Sequence, residues 1–146
     1  MVDAAARYYP FDAMTVFCED ETVTATGNLS TGGTEILTVG DGRVDGCVVV
    51  DVTAIDIANS DEKYDLIIQG SNSASFASGI QNLASLDFGD ATQRDGGGDV
   101  DSLIGRYEMP VQNAQAGTEY KYMRARMVVS GTSPSITLTA HLAMKT

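Results

Sequence analysis

The chain has 146 residues, a formal net charge of −11, two cysteines, fifteen glycines and no tryptophan. That length suits one domain, since burying about 15,000 of about 22,000 Å² on folding supports a core without disulfide staples. The acidity excludes a protein whose affinity comes from neutralising nucleic-acid phosphates, and no apolar run is long enough to span a bilayer as a helix.

In chain order, residues 1–20 read as an N-terminal arm with a first strand, and 21–146 as the rest of a single sandwich domain. Asp3, Arg7 and Pro10, with no apolar core between them, do not make a signal peptide. A short helix over 3–7 is compatible with the sequence. Tyr8-Tyr9-Pro10-Phe11 favours an extended arm, because a residue before proline is pushed out of the helical region. Aromatic side chains at a terminus need burial, so Tyr8, Tyr9 and Phe11 either fold onto their own domain or reach a neighbouring subunit.

Two short β-branched segments, 14–17 and 22–26, flank an acidic turn at Cys18-Glu19-Asp20-Glu21. A further strand over 34–39 ends at Gly40-Asp41-Gly42. Cys18 and Cys47 belong to no CxxC and to no histidine cluster, so they read as buried thiols in a reducing cytoplasm rather than as a disulfide. Over 46–56, Val48, Val50, Val52 and Ala54 share one face and Cys47, Val49, Asp51 and Thr53 the other. After a turn at Asn59-Ser60-Asp61, Tyr64, Leu66 and Ile68 alternate with Asp65, Ile67 and Gln69. The short connection predicts that these two runs are neighbours in one antiparallel sheet.

Segment 71–78 is a polar loop in which Phe76 is the anchor into the core, and a strand follows at 83–88. Residues 94–102 form an exposed Gly/Asp loop. Asp95, Asp99 and Asp101 offer oxygens of the kind calcium takes, but the run lacks the EF-hand spacing and its closing Glu. A plain acidic loop is the stronger reading, and no metal or other cofactor is assigned. In 105–111, Tyr107, Met109 and Val111 alternate with polar residues, and Pro110 places this strand at an edge or a bulge.

Residues 120–144 read as two long strands folded back at Gly131-Thr132-Ser133-Pro134. Met123, Ala125, Met127 and Val129 face inward, while Tyr120, Tyr122, Arg124 and Arg126 face outward. In the second strand Ile136, Leu138, Ala140, Leu142 and Met144 alternate with Thr137, Thr139 and His141. The sum is an all-β, antiparallel β-sandwich of the jelly-roll or Greek-key kind with about eight strands.

No residue set recommends catalysis. His141 is the single histidine and lies on the polar face of its strand, and no zinc set or phosphate-binding glycine motif is present. The expectation is therefore a protein that is not an enzyme. Tyr120, Tyr122, Arg124 and Arg126 are candidates for a protein interface, since Tyr and Arg anchor such contacts. Equally, they form an exposed face paired to acidic neighbours. On the interface reading, reversing the charge of Arg124 and Arg126 weakens assembly or attachment and leaves the fold intact.

The residues Tyr64-Asp65-Leu66-Ile67-Ile68-Gln69-Gly70-Ser71, Phe76 and the 83–88 segment carry a family likeness. So do Gly105-Arg106-Tyr107, Pro110-Val111, Tyr120-Lys121-Tyr122-Met123-Arg124 and the 136–142 strand. Together, over about 22–144, the chain resembles the jelly-roll capsid cement (decoration) proteins of tailed bacteriophages. The resemblance implies a structural virion protein, made in the host bacterial cytoplasm and resident on the outer surface of the capsid. Its implied partners are a major capsid protein with the HK97-type fold and further copies of itself, as a dimer or trimer. A carbohydrate-binding sandwich from a phage fibre or a lectin is the alternative expectation.

Overall fold

Alternation of apolar and polar residues makes each long strand bury one face. A computed structural model, which describes residues 15–95 and 98–144, shows two antiparallel sheets doing so across one core. In chain order the strands are β1 (Val16–Val23), β2 (Gly27–Asn28), β3 (Leu37–Thr38), β4 (Asp45–Ile55), β5 (Lys63–Ser71) and β6 (Gln81–Gly89). They continue with β7 (Gly105–Gln112), β8 (Ala114–Gln115), β9 (Thr118–Glu119), β10 (Tyr122–Ser130) and β11 (Ile136–Met144). The first sheet has the order β1-β11-β4-β7. The second has the order β2-β10-β5-β6, with β3 pairing further along the β2 side of β10. Among the described residues there is no α-helix, and so none that could cross a membrane.

Val48, Val50 and Val52 of β4 and Leu138, Ala140 and Leu142 of β11 supply one wall of the core. Tyr64, Leu66 and Ile68 of β5 and Met123, Ala125 and Met127 of β10 supply the other. These side chains are buried as their alternation predicts, each larger one contributing about 1.5–3 kcal/mol. Phe88 of β6 and Tyr107 of β7 meet edge to face at 4.9 Å, where the edges of the two sheets come together.

Strand pairing differs from the expectation in two places, for one reason. β10 pairs with β5 and β11 pairs with β1 and β4, so 131–135 is a corner between sheets and not a hairpin turn. β4 and β5 likewise lie in different sheets and are not neighbours. A short link between amphipathic strands serves a hairpin and a sheet-to-sheet corner equally well, since the sheets lie only about 10 Å apart.

Other departures are local. Residues 18–21 are not a turn but the middle of β1, which is bulged between Val16 and Cys18 and again between Cys18 and Glu21. The first bulge turns both Phe17 and Cys18 into the core, and Asp20 takes a φ of 47° at the second. β1 thus runs through the boundary at 20/21. The strand expected over 34–39 shrinks to Leu37–Thr38. The strand expected at 83–88 is present within β6, and a register shift opposite Ile68 and Gln69 explains its mixed apolar spacing. Pro110 lies in an edge strand as its missing N–H requires. Cys18 and Cys47 are both buried and far apart in the fold, Cys18 in the main core and Cys47 in a separate small cluster with Val49 and Ala143. Tyr8, Tyr9, Phe11, Met14 and the 3–7 segment lie outside the described residues.

Both corners at one end of the sandwich are tied by a single side chain. The Tyr64 hydroxyl donates to the Asp56 carbonyl at 2.7 Å and accepts from the Ser135 backbone N–H at 2.8 Å. Asp61 accepts from the Thr132 N–H at 2.9 Å and from its hydroxyl at 2.6 Å. The fully buried Glu62 carboxylate accepts from the backbone N–H groups of Asn59 and Asp61. Gly131 has to be glycine: its φ is +109°, and a Cβ there would lie 2.6 Å from the Asp61 carbonyl. Tyr64→Phe is expected to lower stability by about 1–2 kcal/mol in urea titration, because it leaves a part-buried N–H and C=O without this partner while keeping the ring in place.

Candidate protein interface

The predicted stripe stands on the outer face of β10, and much of it is occupied by the chain itself. Arg124 lies over the Phe76 ring, 4.4 Å from its centroid, and its Nε donates to Gln69 Oε1 at 2.9 Å. Gln69 in turn donates to Asn82 Oδ1 at 2.9 Å, so one polar row crosses β10, β5 and β6. Arg126 donates from Nη1 to Asn28 Oδ1 at 3.2 Å. Tyr120 packs beside Gly70, where an added Cβ would lie 3.0 Å from its ring. Tyr120, Tyr122, Arg124 and Arg126 are all half-buried. Both arginines hydrogen-bond to neutral amides, and the acidic neighbour is Glu35, which accepts from Asn28 at 2.9 Å and acts on the Arg124 charge. Burial holds the Arg124 guanidinium below its usual pKa, with the neighbouring Arg126 charge adding to the effect.

This geometry corrects the role given to Phe76. It is 5% exposed but sits outside the main core cluster, under Arg124, and so pins the 72–80 loop to the outside of the second sheet. Ser71 fixes the loop's start and end by donating to the Ser78 carbonyl at 2.8 Å and accepting from the Ser73 N–H at 3.0 Å. Reversing the charge at Arg124 is therefore not silent for the fold.

Beside this stripe an open depression is lined by Asp65, Ile67, Asn82, Ser85, Asp87 and Asp95. Asp65 of β5 and Asp87 of β6 are directly paired across strands. Burial pushes the Asp65 carboxyl up to about 6, and a hydrogen bond and repulsion from Asp87 reinforce the shift. Asp65 Oδ1 is buried with no hydrogen-bonding partner, which disfavours its ionised form. Lys63 opposes the shift from 3.7 Å, but its closer partner is Asp95 at 2.8 Å.

The three loop aspartates do not converge. Asp95 is held by Lys63, Asp101 Oδ1 accepts from the Ala91 N–H at 2.8 Å, and Asp99 is exposed. Among the described residues no group of three or more His, Cys, Asp or Glu is placed to hold a metal ion. His141 is 3% exposed on the outer face of the first sheet, and burial lowers its pKa. Burial pushes the Cys18 thiol up to about 12, far from a reactive thiolate at neutral pH.

One surface went unread in the sequence. Val100, Leu103 and Ile104 are exposed on the approach to β7, although the backbone beneath them is firmly held. Ser102 exchanges two hydrogen bonds with Gly89, each 3.0 Å, and the Tyr107 hydroxyl donates to the Leu103 carbonyl at 2.6 Å. The available signal was three branched aliphatics in an acidic stretch where no strand alternation accounts for them.

The chain matches no protein-family model and no curated protein.

Two outcomes follow from these contacts. Arg124→Ala is expected to cost about 1 kcal/mol and to speed amide exchange in 72–80, measured by hydrogen exchange. A raised carboxyl pKa means that the folded state binds more protons than the unfolded chain between about pH 4 and pH 6, so wild-type stability falls as pH rises through that window. Asp65→Asn is expected to remove the fall, gaining about 1 kcal/mol over wild type at pH 8 relative to pH 4 in urea titrations.

Proposed function

We propose that this chain is a jelly-roll capsid cement protein of a tailed bacteriophage, a structural protein that binds the outside of the shell and clamps neighbouring major capsid protein subunits together. The observation that carries the reading is the order of the strands. With β2 and β3 taken as one interrupted strand on the edge of β10, and the separate two-stranded β8–β9 sheet set aside, the remaining eight strands fall into two sheets, first-eighth-third-sixth and second-seventh-fourth-fifth. That winding supports the jelly-roll assignment, an architecture found among viral capsid and lectin domains. The residues that carry the family resemblance fall largely on β5, β6, β7, β10 and β11 of this framework.

Fold alone does not assign function, but the physical design suits a clamp. Corners tied by Tyr64, Asp61 and Glu62 hold the surfaces of the sandwich in place before any partner arrives. A rigid body loses little conformational entropy on docking. A protein that binds only the assembled lattice stabilises that lattice by mass action, and repeated copies add avidity.

The test is cosedimentation of the purified protein with capsids of its phage that lack it, together with the temperature at which those capsids disrupt. Saturable binding with a stoichiometry set by capsomer junctions and a raised disruption temperature are expected. Absence of binding, with glycan-array binding in its place, would transfer the chain to the carbohydrate-binding class.

A further inference from the structure

Among the described residues four large hydrophobic side chains are exposed, and three of them, Val100, Leu103 and Ile104, fall within five consecutive positions. Each of the three is 65–66% exposed, while the fourth, Ile80, lies at the opposite end of β6. Single exposed aliphatics are ordinary, but a concentration of them framed by polar residues marks a contact surface.

The segment that presents them is held at four consecutive residues, by backbone groups of Val100, Ser102 and Leu103 and by the Asp101 side chain. The Val100 carbonyl accepts from the Arg94 guanidinium, and Asp101 accepts from the Ala91 N–H at 2.8 Å. Ser102 is buried and doubly bonded to Gly89, and the Leu103 N–H donates to the Tyr107 hydroxyl at 3.2 Å. Gly89 keeps this seat open: its φ is +131°, and a Cβ would lie 2.3 Å from the Glu62 carbonyl. The aliphatic side chains are thus held out into water by a segment that has already lost its backbone freedom. Such preorganisation lowers the entropic cost of binding.

The charges around the segment select the occupant. Asp99 and Asp101 flank Val100, both exposed, on a molecule of net charge −11, while the nearby cations are engaged elsewhere: Lys63 with Asp95, Arg94 with the Val100 carbonyl and Arg106 with Asp51. A second copy meeting this face through the same residues would bring like charges together, and anionic lipid would meet the same repulsion. An apolar patch rimmed by Lys and Arg matches both the aliphatic tip and its acidic frame.

We propose that Val100, Leu103 and Ile104 are the docking tip by which this chain seats on a basic-rimmed apolar patch of the shell protein. The proposal rests on the cement reading above. Its test is cosedimentation of wild type, Leu103→Ser/Ile104→Ser and Asp99→Lys with capsids of the phage that lack the protein. Both variants alter exposed side chains, and unchanged urea midpoints would verify that they fold.

The expected result is about tenfold weaker binding for each variant, with wild-type binding that weakens as ionic strength rises. If wild type binds and both variants bind equally well, the docking tip is overturned and the cement reading stands. If wild type itself fails to bind, both fall. Sedimentation velocity in which the double variant dissociates a wild-type oligomer would make the segment a self-contact and overturn the proposal. Wild-type binding to phosphatidylcholine–phosphatidylserine vesicles, lost in the double variant, would overturn it in favour of a membrane.

Discussion

The Tyr64 hydroxyl is the point on which the sandwich turns. Two amphipathic sheets attract each other without direction, because hydrophobic burial specifies contact and not connectivity. What fixes this arrangement at one end is a phenol that reaches from β5 to the backbone of both sheet-to-sheet corners, at Asp56 and at Ser135. Asp61 and Glu62 add bonds within the same corners, and Gly131 allows the two backbones to approach. The opposite end has a similar hub: buried Asn113 accepts from the Val44 N–H and donates to the carbonyls of Gly42 and Tyr120. Each hub is an uncharged side chain whose hydrogen-bonding groups are engaged, which avoids the desolvation cost of a buried ion.

With the ends fixed, the outer faces become platforms of different character. The first sheet carries the Arg106–Asp51 pair, bidentate at 2.8 and 3.0 Å, next to the small buried cluster of Cys47, Val49 and Ala143. The second carries the Arg124–Gln69–Asn82 row, the Phe76 clasp and the Asp65–Asp87 pair. A stripe of Tyr and Arg thus serves intramolecular order as well as any partner, and outward orientation on a strand does not equal availability. Exposure is instead concentrated where a loop has no sheet to cover it, at Val100, Leu103 and Ile104.

Much of the fold was legible from residue order. The inward sets of β5 and β10, of β4 as far as Val52 and of β11 as far as Leu142 followed from a period of two, whereas Ala54 is exposed beyond a register shift against β11; Pro110 placed its strand at an edge. The bulge in β1 was not legible, because an acidic run such as Cys18-Glu19-Asp20-Glu21 has the composition of a turn. Pairing with β11, with Asp20 N–H donating to Thr139 Oγ1 at 3.0 Å, and a bond from the Glu19 N–H to the Thr31 carbonyl at 2.7 Å hold it extended. The partnership of Arg124 with Phe76 was hidden for a related reason. A cation and a ring 48 positions apart meet only once the 72–80 loop folds over the sheet.

Local chemistry alone determined that this chain forms amphipathic strands whose alternating apolar sets share a buried face, since side-chain alternation is a property of each strand by itself. Tertiary structure decided which strands are neighbours. The same short links at 56–62 and 131–135 serve hairpins or corners, and the choice between them depends on long-range contacts such as Tyr64 to Ser135. It also decided which outward residues remain free to meet another molecule, because burial by a distant loop has no signature in the stretch that it covers.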